Sequence, residues 1–326
     1  MSEFDNRTQI LHELINGGFH SGEMLGDKLG ISRAAVAKHV KALQTLGLDI
    51  FSVTGKGYKL NYELNLLSST SLKELMNASH KGNIEVLNVI DSTNTYLKGK
   101  IAELENGEVC LAEAQTAGRG RQGRTWVSPF GASLYLSMFW RFESGFQALS
   151  GLSLVIGVAT VNALEKIGVS GLSLKWPNDV YLHGTKLAGI LIEAESMPDN
   201  SCGAVIGVGI NIQLPEDIKE IDQPFTDIAS HTNESIDRNR IAAEVIGAYR
   251  EVLAQFTAEG LLPFKSRWME LDHFSGAEIA VSTGEQKVLG INQGIDDSGA
   301  LLLEIKDSSG TEIKRFFGGE VSVRGQ

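Results

Sequence analysis

The stretch between Glu113 and Glu143 has the residue types that bind an anion. It contains no other acidic residue, and its basic residues are Arg119, Arg121, Arg124 and Arg141. Three of these arginines are interleaved with Gly118, Gly120 and Gly123. Glycine lets the backbone fold tightly and present N–H groups, and arginine adds planar, charge-assisted donors. We therefore predict a loop that binds a carboxylate or a phosphate. The alternative is a flexible basic loop, which the lack of a compensating carboxylate disfavours.

The same three glycines fit the G-x-G-x-x-G pattern of dinucleotide-binding proteins, which requires a helix directly after the loop. The chain continues instead with RTWVSP at 124–129, where β-branched residues and a proline precede an alternating, strand-like run. Without a helix N-terminus, no helix dipole is available to hold a pyrophosphate. The sequence therefore argues against the dinucleotide-binding fold.

A second cluster, LKWPNDVYLHGTKLAGILIE at 174–193, places two lysines beside turns. Lys175 ends a strand, a Pro-Asn-Asp turn follows, and Gly184 turns the chain again before Lys186 begins an apolar strand. This order brings Lys175, Asn178 and Lys186 toward one end of a sheet. Packing of the following strand fixes the base of Lys186, which favours an anion clamp, although a single lysine is more often a solvated surface charge.

A third segment, GAVIGVGINIQL at 203–214, has Gly207 and Gly209 inside an otherwise apolar strand. Glycine weakens a strand and often marks the close approach of a ligand or of another backbone. A β-bulge is the alternative.

Residues 1–63 have the pattern of a winged helix-turn-helix. Apolar residues recur with helical spacing in three short segments, and the residues expected to face inward are Ile10, Leu11, Leu14, Ile15, Met24, Leu25, Leu29, Val36, Val40 and Leu43. Ser21 and Ser32 can cap the second and third helices. An alternating run interrupted by GKG at 55–57 predicts a hairpin, and helix, turn, helix and hairpin in this order form a winged helix-turn-helix.

The charge of this segment is opposite to that of the chain. The net charge of the chain is −11, whereas residues 28–59 contain six Lys or Arg residues and one acid, Asp49. On the third helix, the face opposite the apolar stripe carries Arg33, Ala34, Ala37, Lys38, Lys41 and Gln44. Small alanines permit close approach to a major groove and the cations reach phosphates, so we predict DNA binding. A solvated surface or a protein-binding winged helix is the alternative.

The remaining chain divides into residues 64–273 and 274–326. Within the larger part, strands are expected at 83–90, 108–114, 132–140, 171–175, 186–195 and 203–213, and helices at 92–104, 148–167 and 238–258. This mixture predicts an α+β fold around a mixed sheet. For residues 274–326 the pattern predicts a small SH3-like β-barrel, because short apolar runs are separated by turn signals at 284–285, 296–299, 307–310 and 318–319.

Composition indicates a cytoplasmic protein without membrane contact. Cys110 and Cys202 are too few for a disulfide framework and lack partners at metal-ligand spacing, so buried thiols in a reducing compartment are expected. The N-terminus has early acids and no apolar run of a signal peptide. The longest apolar stretch, residues 152–161, is about half of the roughly 20 residues that span a bilayer.

Together these motifs closely resemble the bacterial biotin protein ligases that also repress the biotin operon. The resemblance runs almost end to end, through SGEMLGDKLGISRAAVAKHVKAL (21–43), DSTN (91–94), GRGRQGRTWVSPFGASLYLSMFW (118–140), KWPNDVYL with KLAGILIE (175–193), GVGIN (207–211) and GGEVSVR (318–324). The glycine–arginine loop with the Trp-Pro-Asn-Asp turn is highly specific to biotin ligases. A helix-turn-helix motif alone is far less specific.

The resemblance implies two reactions. Biotin and ATP–Mg²⁺ give biotinyl-5′-adenylate and pyrophosphate, and the biotinyl group then passes to a lysine of the biotin carboxyl carrier protein of acetyl-CoA carboxylase. The residues implied to bind biotin are Ser92, Thr93, Asn94, Gln115, Gly118, Arg119, Gly120, Arg121, Trp126 and Lys186. The implied catalytic residues are Lys186, Arg119, Arg121 and, for the second step, Asp179, whose alternative role is a turn cap. The implied nucleotide side consists of Arg121, Arg124, Lys175, Asn178, Asn211 and Phe225, with no protein-held metal and magnesium bound as its ATP complex.

By the same resemblance, the adenylate acts as a corepressor. It would order the loop at 113–131, favour a homodimer and let two winged helices bind a palindromic biotin operator. The residues implied to contact DNA are Ser21, Gly22, Ser32, Arg33, Ala34, Ala37, Lys38, Lys41 and Lys56. Phe225 departs from the family, in which a tryptophan near this position often covers the adenine.

Three alternatives to a ligase that also represses transcription stay open. The N-terminal unit could have lost its regulatory role, leaving a ligase alone. The substrate could be lipoate rather than biotin, which the glycine–arginine loop and the Trp-Pro-Asn-Asp turn disfavour. A binding protein without catalysis is the least favoured.

Overall fold

The chain folds into a small helical unit, a large α+β unit and a small β unit. The computed structural model describes residues 3–61, 64–76, 82–215, 218, 220–283, 286–307, 310–318 and 321–325. Helices and strands in the middle unit share one mixed sheet, which confirms the α+β class. The boundaries after residues 63 and 273 stay predictions, and residue 63 itself lies outside the described residues.

The first unit consists of three helices and a hairpin, namely α1 (Glu3–Ile15), α2 (Gly22–Leu29), α3 (Arg33–Thr45), β1 (Ile50–Val53) and β2 (Gly57–Leu60). Ser21 caps α2 by accepting a hydrogen bond from the backbone N–H of Met24 at 3.0 Å, and Ser32 caps α3 in the same way. The winged helix-turn-helix is therefore confirmed. The inward orientation of Met24 was wrong, since its side chain is 45% exposed. Met24 lies about 100° around the helix from the buried Leu25.

The strands of the central unit are β3 (Ile84–Ile90), β4 (Val109–Gln115), β5 (Ser133–Phe142), β6 (Leu172–Lys175), β7 (Asp179–Leu182), β8 (Thr185–Ser196) and β9 (Cys202–Asn211). They form one sheet in the order β3-β4-β5-β9-β8-β7-β6. Within the described residues β3 and β4 pair in parallel and the other ladders are antiparallel, so the predicted mixed sheet is confirmed. The predictions did not include β7, because four residues between two turns carry little periodicity.

Helices cover both faces of this sheet. They are α4 (Ser69–Leu75), α5 (Thr93–Lys98), α6 (Leu152–Lys166), α7 (Arg238–Glu259) and α8 (Leu262–Leu271). Alternation along β5 separates two cores: Met138 and Trp140 pack in the main core, and Phe139 packs with Leu97 of α5 on the opposite face. The helix predicted at 92–104 was too long, because α5 ends at Lys98 and turns follow. Neither α4 nor α8 was predicted.

The cysteines and the longest apolar stretch lie in the interior. Cys110 and Cys202 are buried free thiols, and burial raises the pKa of Cys110 to about 12. Among the described residues, the stretch Phe146–Lys166 is long and apolar enough to cross a membrane by length and composition. Since 61% of its most apolar 18-residue window is buried inside the protein, and α6, which makes up most of it, packs in the main core, this stretch belongs to the core.

A buried ion pair ties the segment after the first unit to the central sheet. The Oε2 atom of Glu113, at the end of β4, lies 2.6 Å from Nη1 of Arg238 at the start of α7. The other carboxylate oxygen accepts the backbone N–H of Leu67 at 2.6 Å, and Arg238 donates to the carbonyls of Asn65 and Ser133. Buried charges are tolerated when they are paired and hydrogen-bonded in this way. Residues 65–67, which follow the first unit, are therefore fixed next to β4, the strand that leads into the glycine–arginine loop.

The last unit is all-β, as predicted. Its strands are β10 (Glu278–Thr283), β11 (Gln286–Ile295), β12 (Leu301–Asp307), β13 (Gly310–Phe316) and β14 (Val321–Gly325). They pair antiparallel in the order β13-β12-β11-β10-β14, and no ladder of the described residues joins β13 to β14. The turn at 296–299 is closed by a hydrogen bond from the N–H of Gly299 to the carbonyl of Asp296. The turn signals at 284–285, 308–309 and 319 lie outside the described residues.

Candidate active site

A cavity of about 930 Å³ opens on the face of the sheet that carries α5, beneath residues 116–132, which we call the glycine–arginine loop. The predicted site residues that line it are Ser92, Thr93, Asn94, Gln115, Arg119, Gly120, Arg121, Arg124, Trp126, Lys175, Asn178, Asp179 and Lys186. Three further predicted residues, Gly118, Asn211 and Phe225, are not among the described residues that line the cavity. The fold thus brings together motifs from four separate segments of the chain.

The glycine–arginine loop closes on itself and forms no α-helix. The carbonyl of Gly118 accepts the N–H of Trp126 at 2.9 Å, and the N–H of Gly120 donates to the carbonyl of Arg124 at 2.7 Å. A single 3₁₀ turn, Arg121–Gly123, forms the tip. A side chain at Gly118 would come within 2.5 Å of the Trp126 carbonyl oxygen, so this position requires glycine. The dinucleotide-binding fold is thereby excluded by structure.

Lys186 and Arg121 are held by polar partners inside the cavity. The Nζ atom of Lys186 lies 2.9 Å from Oδ1 of Asp179 and 5.6 Å from the centre of the Trp126 ring, and both members of the ion pair are largely buried. Arg121 donates to Oδ1 of Asn178 at 2.9 Å and to the carbonyl of Gly318 in the last unit. Burial lowers the pKa of Arg121, which the nearby charge of Asp179 opposes. Both cations therefore have fixed positions.

Arg119 has a carboxylate partner that the sequence did not reveal. Its two terminal nitrogens donate to the two oxygens of Glu193 on β8, at 3.0 and 2.7 Å. The sequence argument that the loop lacks a compensating carboxylate was therefore wrong, because a distant strand supplies one. Charge-assisted bidentate pairs of this kind are directional, so Arg119 is oriented as well as neutralised.

A polar network lines the inner end of the cavity. The amide oxygen of Gln115 accepts from the backbone N–H and the hydroxyl of Thr93, at 2.9 and 3.2 Å. The hydroxyl of Ser137, on β5, lies 2.7 Å from that of Thr93 and donates to Oδ1 of Asn94 at 2.6 Å. Ser92 is the N-cap residue of α5, and its side chain makes no cap hydrogen bond. Donors and acceptors are thus concentrated where three elements meet.

Glycines on the sheet make room for these side chains. A Cβ atom at Gly209 would lie 2.4 Å from the Trp126 ring, and one at Gly207 would lie 2.3 Å from Oδ1 of Asn94. Gly189 of β8 likewise faces Trp126, at 2.9 Å. A close approach at Gly207 and Gly209 is found as predicted, but the approaching groups are side chains and not a ligand or another backbone. β8 and β9 pair without a register shift at these residues, so the alternative of a β-bulge is wrong.

The remaining predicted residues lie around the cavity. Lys175 donates to the hydroxyl of Tyr181 at 3.0 Å, and Arg124 lies close enough to Arg121 to lower its pKa further. The side chain of Asn211 is buried and donates to the carbonyl of Thr226 at 3.0 Å. Phe225 forms a parallel bridge with Lys186 beside the cavity wall.

The architecture of the three units is shared with known proteins. Family models match a helix-turn-helix domain at residues 6–59, the biotin/lipoate A/B protein ligase family at 86–211 and the biotin protein ligase C-terminal domain at 274–324. The chain is 46% identical to the bifunctional ligase/repressor BirA of Escherichia coli, over 97% of the chain and 96% of that protein. The chain belongs to the biotin protein ligase family. The chain is also 28% identical to the bifunctional ligase/repressor BirA of Bacillus subtilis, over 94% of this chain and 94% of that protein.

A solved biotin ligase shares the fold of most of the chain. The biotin protein ligase of Aquifex aeolicus, in complex with biotin and ATP, matches with a TM-score of 0.65 and 32% identity. The match covers 75% of this chain and 99% of that one.

The winged helix of this biotin ligase presents the predicted polar face to solvent. The residues of that face are all exposed: Arg33, Ala34, Ala37, Lys38, Lys41 and Gln44. Ser21, Ser32 and Lys56 are exposed as well. Gly22 is buried instead, with Arg33 and Tyr58 packed about 3.3 and 3.4 Å from where its Cβ would lie. Gly22 therefore packs closely under Arg33 and presents no side chain on this face.

Two residues of the site, Ser137 and Glu193, were missed from the sequence of this biotin ligase. Ser137 is fully buried in an apolar strand, and Glu193 is a carboxylate near the end of another. A polar residue at an inward position of an apolar strand is a weak signal for a functional site. Only the folded structure shows that both contact residues that line the cavity, Ser137 through Thr93 and Asn94, and Glu193 through Asn94 and Arg119.

Proposed function

We propose that the protein activates biotin with ATP, forming biotinyl-5′-adenylate and pyrophosphate, and transfers the biotinyl group to a lysine of the biotin carboxyl carrier protein. What supports the proposal most is that Lys186, Arg119 and Arg121 converge on one cavity with a polar inner end. A biotin carboxylate must attack the α-phosphate of ATP, so two anions must meet. At 4 Å, each pairwise repulsion is about 1 kcal/mol in water and about 4 at an effective dielectric near 20. Fixed cations offset that repulsion.

Each predicted residue has a role in this proposal. Ser92, Thr93, Asn94 and Gln115 hydrogen-bond the ureido ring, and Trp126 walls the pocket. Gly118 to Arg121 close over the carboxylate and phosphate, while Lys186 holds the bridging oxygens. On the nucleotide side we assign Arg121, Arg124, Lys175, Asn178, Asn211 and Phe225.

Magnesium enters this proposal as part of ATP–Mg²⁺. Among the described residues, no group of three or more His, Cys, Asp or Glu side chains could hold a metal ion. The cavity carboxylate Asp179 is paired with Lys186, and Asn178 contributes an amide oxygen to the same region. These donors fit a metal that keeps several waters and triphosphate oxygens. When bound, the ion would neutralise charge on the triphosphate.

The second step needs no nucleophilic side chain of the enzyme. The mixed anhydride is already activated, and the acceptor lysine only has to lose a proton. We assign assistance in this step to Asp179, which lies at the first residue of β7 beside Lys186.

The winged helix supports a second function, repression of the biotin biosynthesis genes. In this proposal biotinyl-5′-adenylate is the corepressor, it orders the glycine–arginine loop, and the adenylate-bound protein is a cytoplasmic homodimer on a palindromic operator. Ordering a glycine-rich loop costs conformational entropy, which ligand contacts offset. A mobility-shift assay with the protein's own biotin promoter, biotin and ATP separates this proposal from a ligase without regulation, for which no shift occurs.

Pyrophosphate release tests the enzymatic proposal. The protein is incubated with ATP and Mg²⁺, and with either biotin or lipoate in parallel. We expect rapid pyrophosphate formation with biotin only. Release with lipoate and not with biotin would reverse the substrate assignment, and release with neither would exclude catalysis.

A further inference from the structure

Glu193 is a carboxylate of β8 that the proposed chemistry does not use. Its side chain is only 17% exposed. One oxygen, Oε2, accepts from Nδ2 of Asn94 at 2.9 Å and from Nη2 of Arg119 at 2.7 Å. The other, Oε1, accepts from Nη1 of Arg119 at 3.0 Å and from Nζ of Lys98 at 3.3 Å. One side chain therefore connects α5, which carries Asn94, to the glycine–arginine loop, which carries Arg119.

Two acceptors determine which way the Asn94 amide points: the Glu193 carboxylate at 2.9 Å from Nδ2, which is the nearer, and the backbone carbonyl of Leu191 at 3.3 Å. An ionised carboxylate only accepts hydrogen bonds, whereas an amide both donates and accepts and fits a site in two orientations of similar shape. Burial acts to raise the pKa of Glu193, but the hydrogen bond from Asn94 and the positive charges of Arg119 and Lys98 outweigh it and lower that pKa. Glu193 is therefore an acceptor at neutral pH, and the Asn94 nitrogen must face it.

The opposite atom of that amide belongs to the cavity network. Oδ1 of Asn94 accepts from Ser137, whose hydroxyl also contacts Thr93. An amide turned the other way would place its nitrogen against Ser137 and its oxygen against the Glu193 carboxylate. The Glu193 carboxylate, together with the Leu191 carbonyl, thus sets the donor–acceptor order of the network.

We infer that Glu193 is a positioning residue for substrate recognition, which fixes the hydrogen-bonding polarity of Asn94 and holds Arg119 at the cavity before substrate binds. This inference rests on the proposed function, in which Asn94 and Arg119 belong to the biotin site. Groups that are already oriented lose less entropy when a ligand binds. Removing the charge of Glu193 therefore weakens substrate binding more than it slows the chemical step.

The test is the Glu193→Gln variant, which keeps the shape and removes the charge. The matched control is Glu195→Gln, because Glu195 lies two residues along the same strand, also pairs with Lys98, and is 45% exposed. In biotin-dependent pyrophosphate exchange we expect Glu193→Gln to raise KM for biotin by about tenfold or more, with kcat within about threefold. Glu195→Gln should stay within about twofold in both.

Exchanging the amide and the carboxylate between positions 94 and 193, which we call the swap, provides a second measurement. Asn94→Asp alone places two carboxylates together and should raise KM for biotin. Adding Glu193→Gln supplies an amide N–H to the introduced aspartate and keeps the net charge of the pair, so KM should fall again by about tenfold relative to Asn94→Asp. A merely structural role for Glu193 gives no such recovery. Thermal unfolding of each variant is recorded alongside, and the swap remains decisive if Glu193→Gln alone unfolds.

The outcomes separate the inference from the proposed function. Wild-type protein without any biotin-dependent exchange would exclude the proposed function itself. Active wild-type protein with Glu193→Gln indistinguishable from Glu195→Gln, or with additive effects in the swap, would overturn only the positioning role of Glu193.

Discussion

At the residue scale, two of the cations assigned to substrate oxygens are paired with carboxylates of the protein. Lys186 contacts Asp179, and Arg119 contacts Glu193. These partners hold the cations in place, so little reorganisation is needed when an anion arrives. The cost of exchanging one oxygen partner for another is small compared with leaving a buried cation unpaired.

The Lys186→Ala variant tests this chemistry. Removing a fixed donor to the reacting oxygens should lower kcat for pyrophosphate release by about 10²–10³-fold, which corresponds to about 2.7–4 kcal/mol. The matched control is Lys166→Ala, since Lys166 is exposed and pairs with Glu244 away from the cavity. Unchanged biotin-dependent release by Lys186→Ala would remove this lysine from the catalytic assignment.

At the scale of elements, the glycines of β8 and β9 shape the cavity. Trp126 lies against Gly189 and Gly209 from the two strands, and Asn94 lies against Gly207. The glycine–arginine loop and α5 can therefore approach the sheet more closely than side chains would allow.

Gly209→Ala tests this close approach. Its Cβ would lie 2.4 Å from the Trp126 ring, so the ring must shift, and overpacking of this kind costs about 1–3 kcal/mol. We expect biotin affinity, measured by calorimetry, to fall by about tenfold. Gly99→Ala, which meets only ordinary contacts at 3.5 Å, is the control. Equal affinities in the two variants would show that Trp126 does not wall the biotin pocket.

Some of these elements and site residues could be predicted from the sequence, and others could not. The glycine–arginine loop was predicted because its residue types are local and unusual, and caps at Ser21 and Ser32 have short-range signals. Glu193 could not be predicted, since its role depends on β8 lying beneath Arg119, a contact between distant segments. For the same reason the loop seemed to lack a carboxylate. Short elements such as β7 and α4 have too few residues for a period to emerge.

At the scale of the whole molecule, the winged helix packs directly against the end of the glycine–arginine loop. The N–H of Phe130 donates to the carbonyl of Leu46 at 2.8 Å, and a Cβ at Gly47 would lie 2.9 Å from Pro129. The Phe130 ring is buried in the same hydrophobic cluster as residues of α1, α2 and α3. The end of the loop is therefore in direct contact with the DNA-binding unit.

Phe130→Ala should loosen this contact. Truncating a buried phenylalanine costs about 3–5 kcal/mol, so the winged helix should unfold at lower urea concentration than in wild type. Phe146→Ala is the control, because Phe146 is 52% exposed and its loss should change stability by about 0.5 kcal/mol or less. Urea unfolding followed by circular dichroism measures both. The same midpoint for the two variants would contradict docking through Phe130.

The charge distribution of the molecule predicts how DNA binding depends on salt. A chain of net charge −11 can bind DNA only through a local positive surface. Lys41→Ala, on the exposed face of α3, should weaken operator binding and reduce the salt slope by about one. Pyrophosphate release should be unaffected, and Lys166→Ala should change neither property. An unaltered salt slope in Lys41→Ala would place the DNA contact elsewhere.

The central claim is that side chains anchored around one cavity offset the repulsion between a carboxylate and a phosphate. The most direct measurement is a crystal structure of the protein with biotinyl-5′-adenylate. We predict the Lys186 amine and the Arg121 guanidinium at about 3 Å from the carboxyl or phosphate oxygens of the adenylate. An adenylate bound elsewhere, with Lys186 still on Asp179 and Arg121 still on Asn178, would contradict the claim.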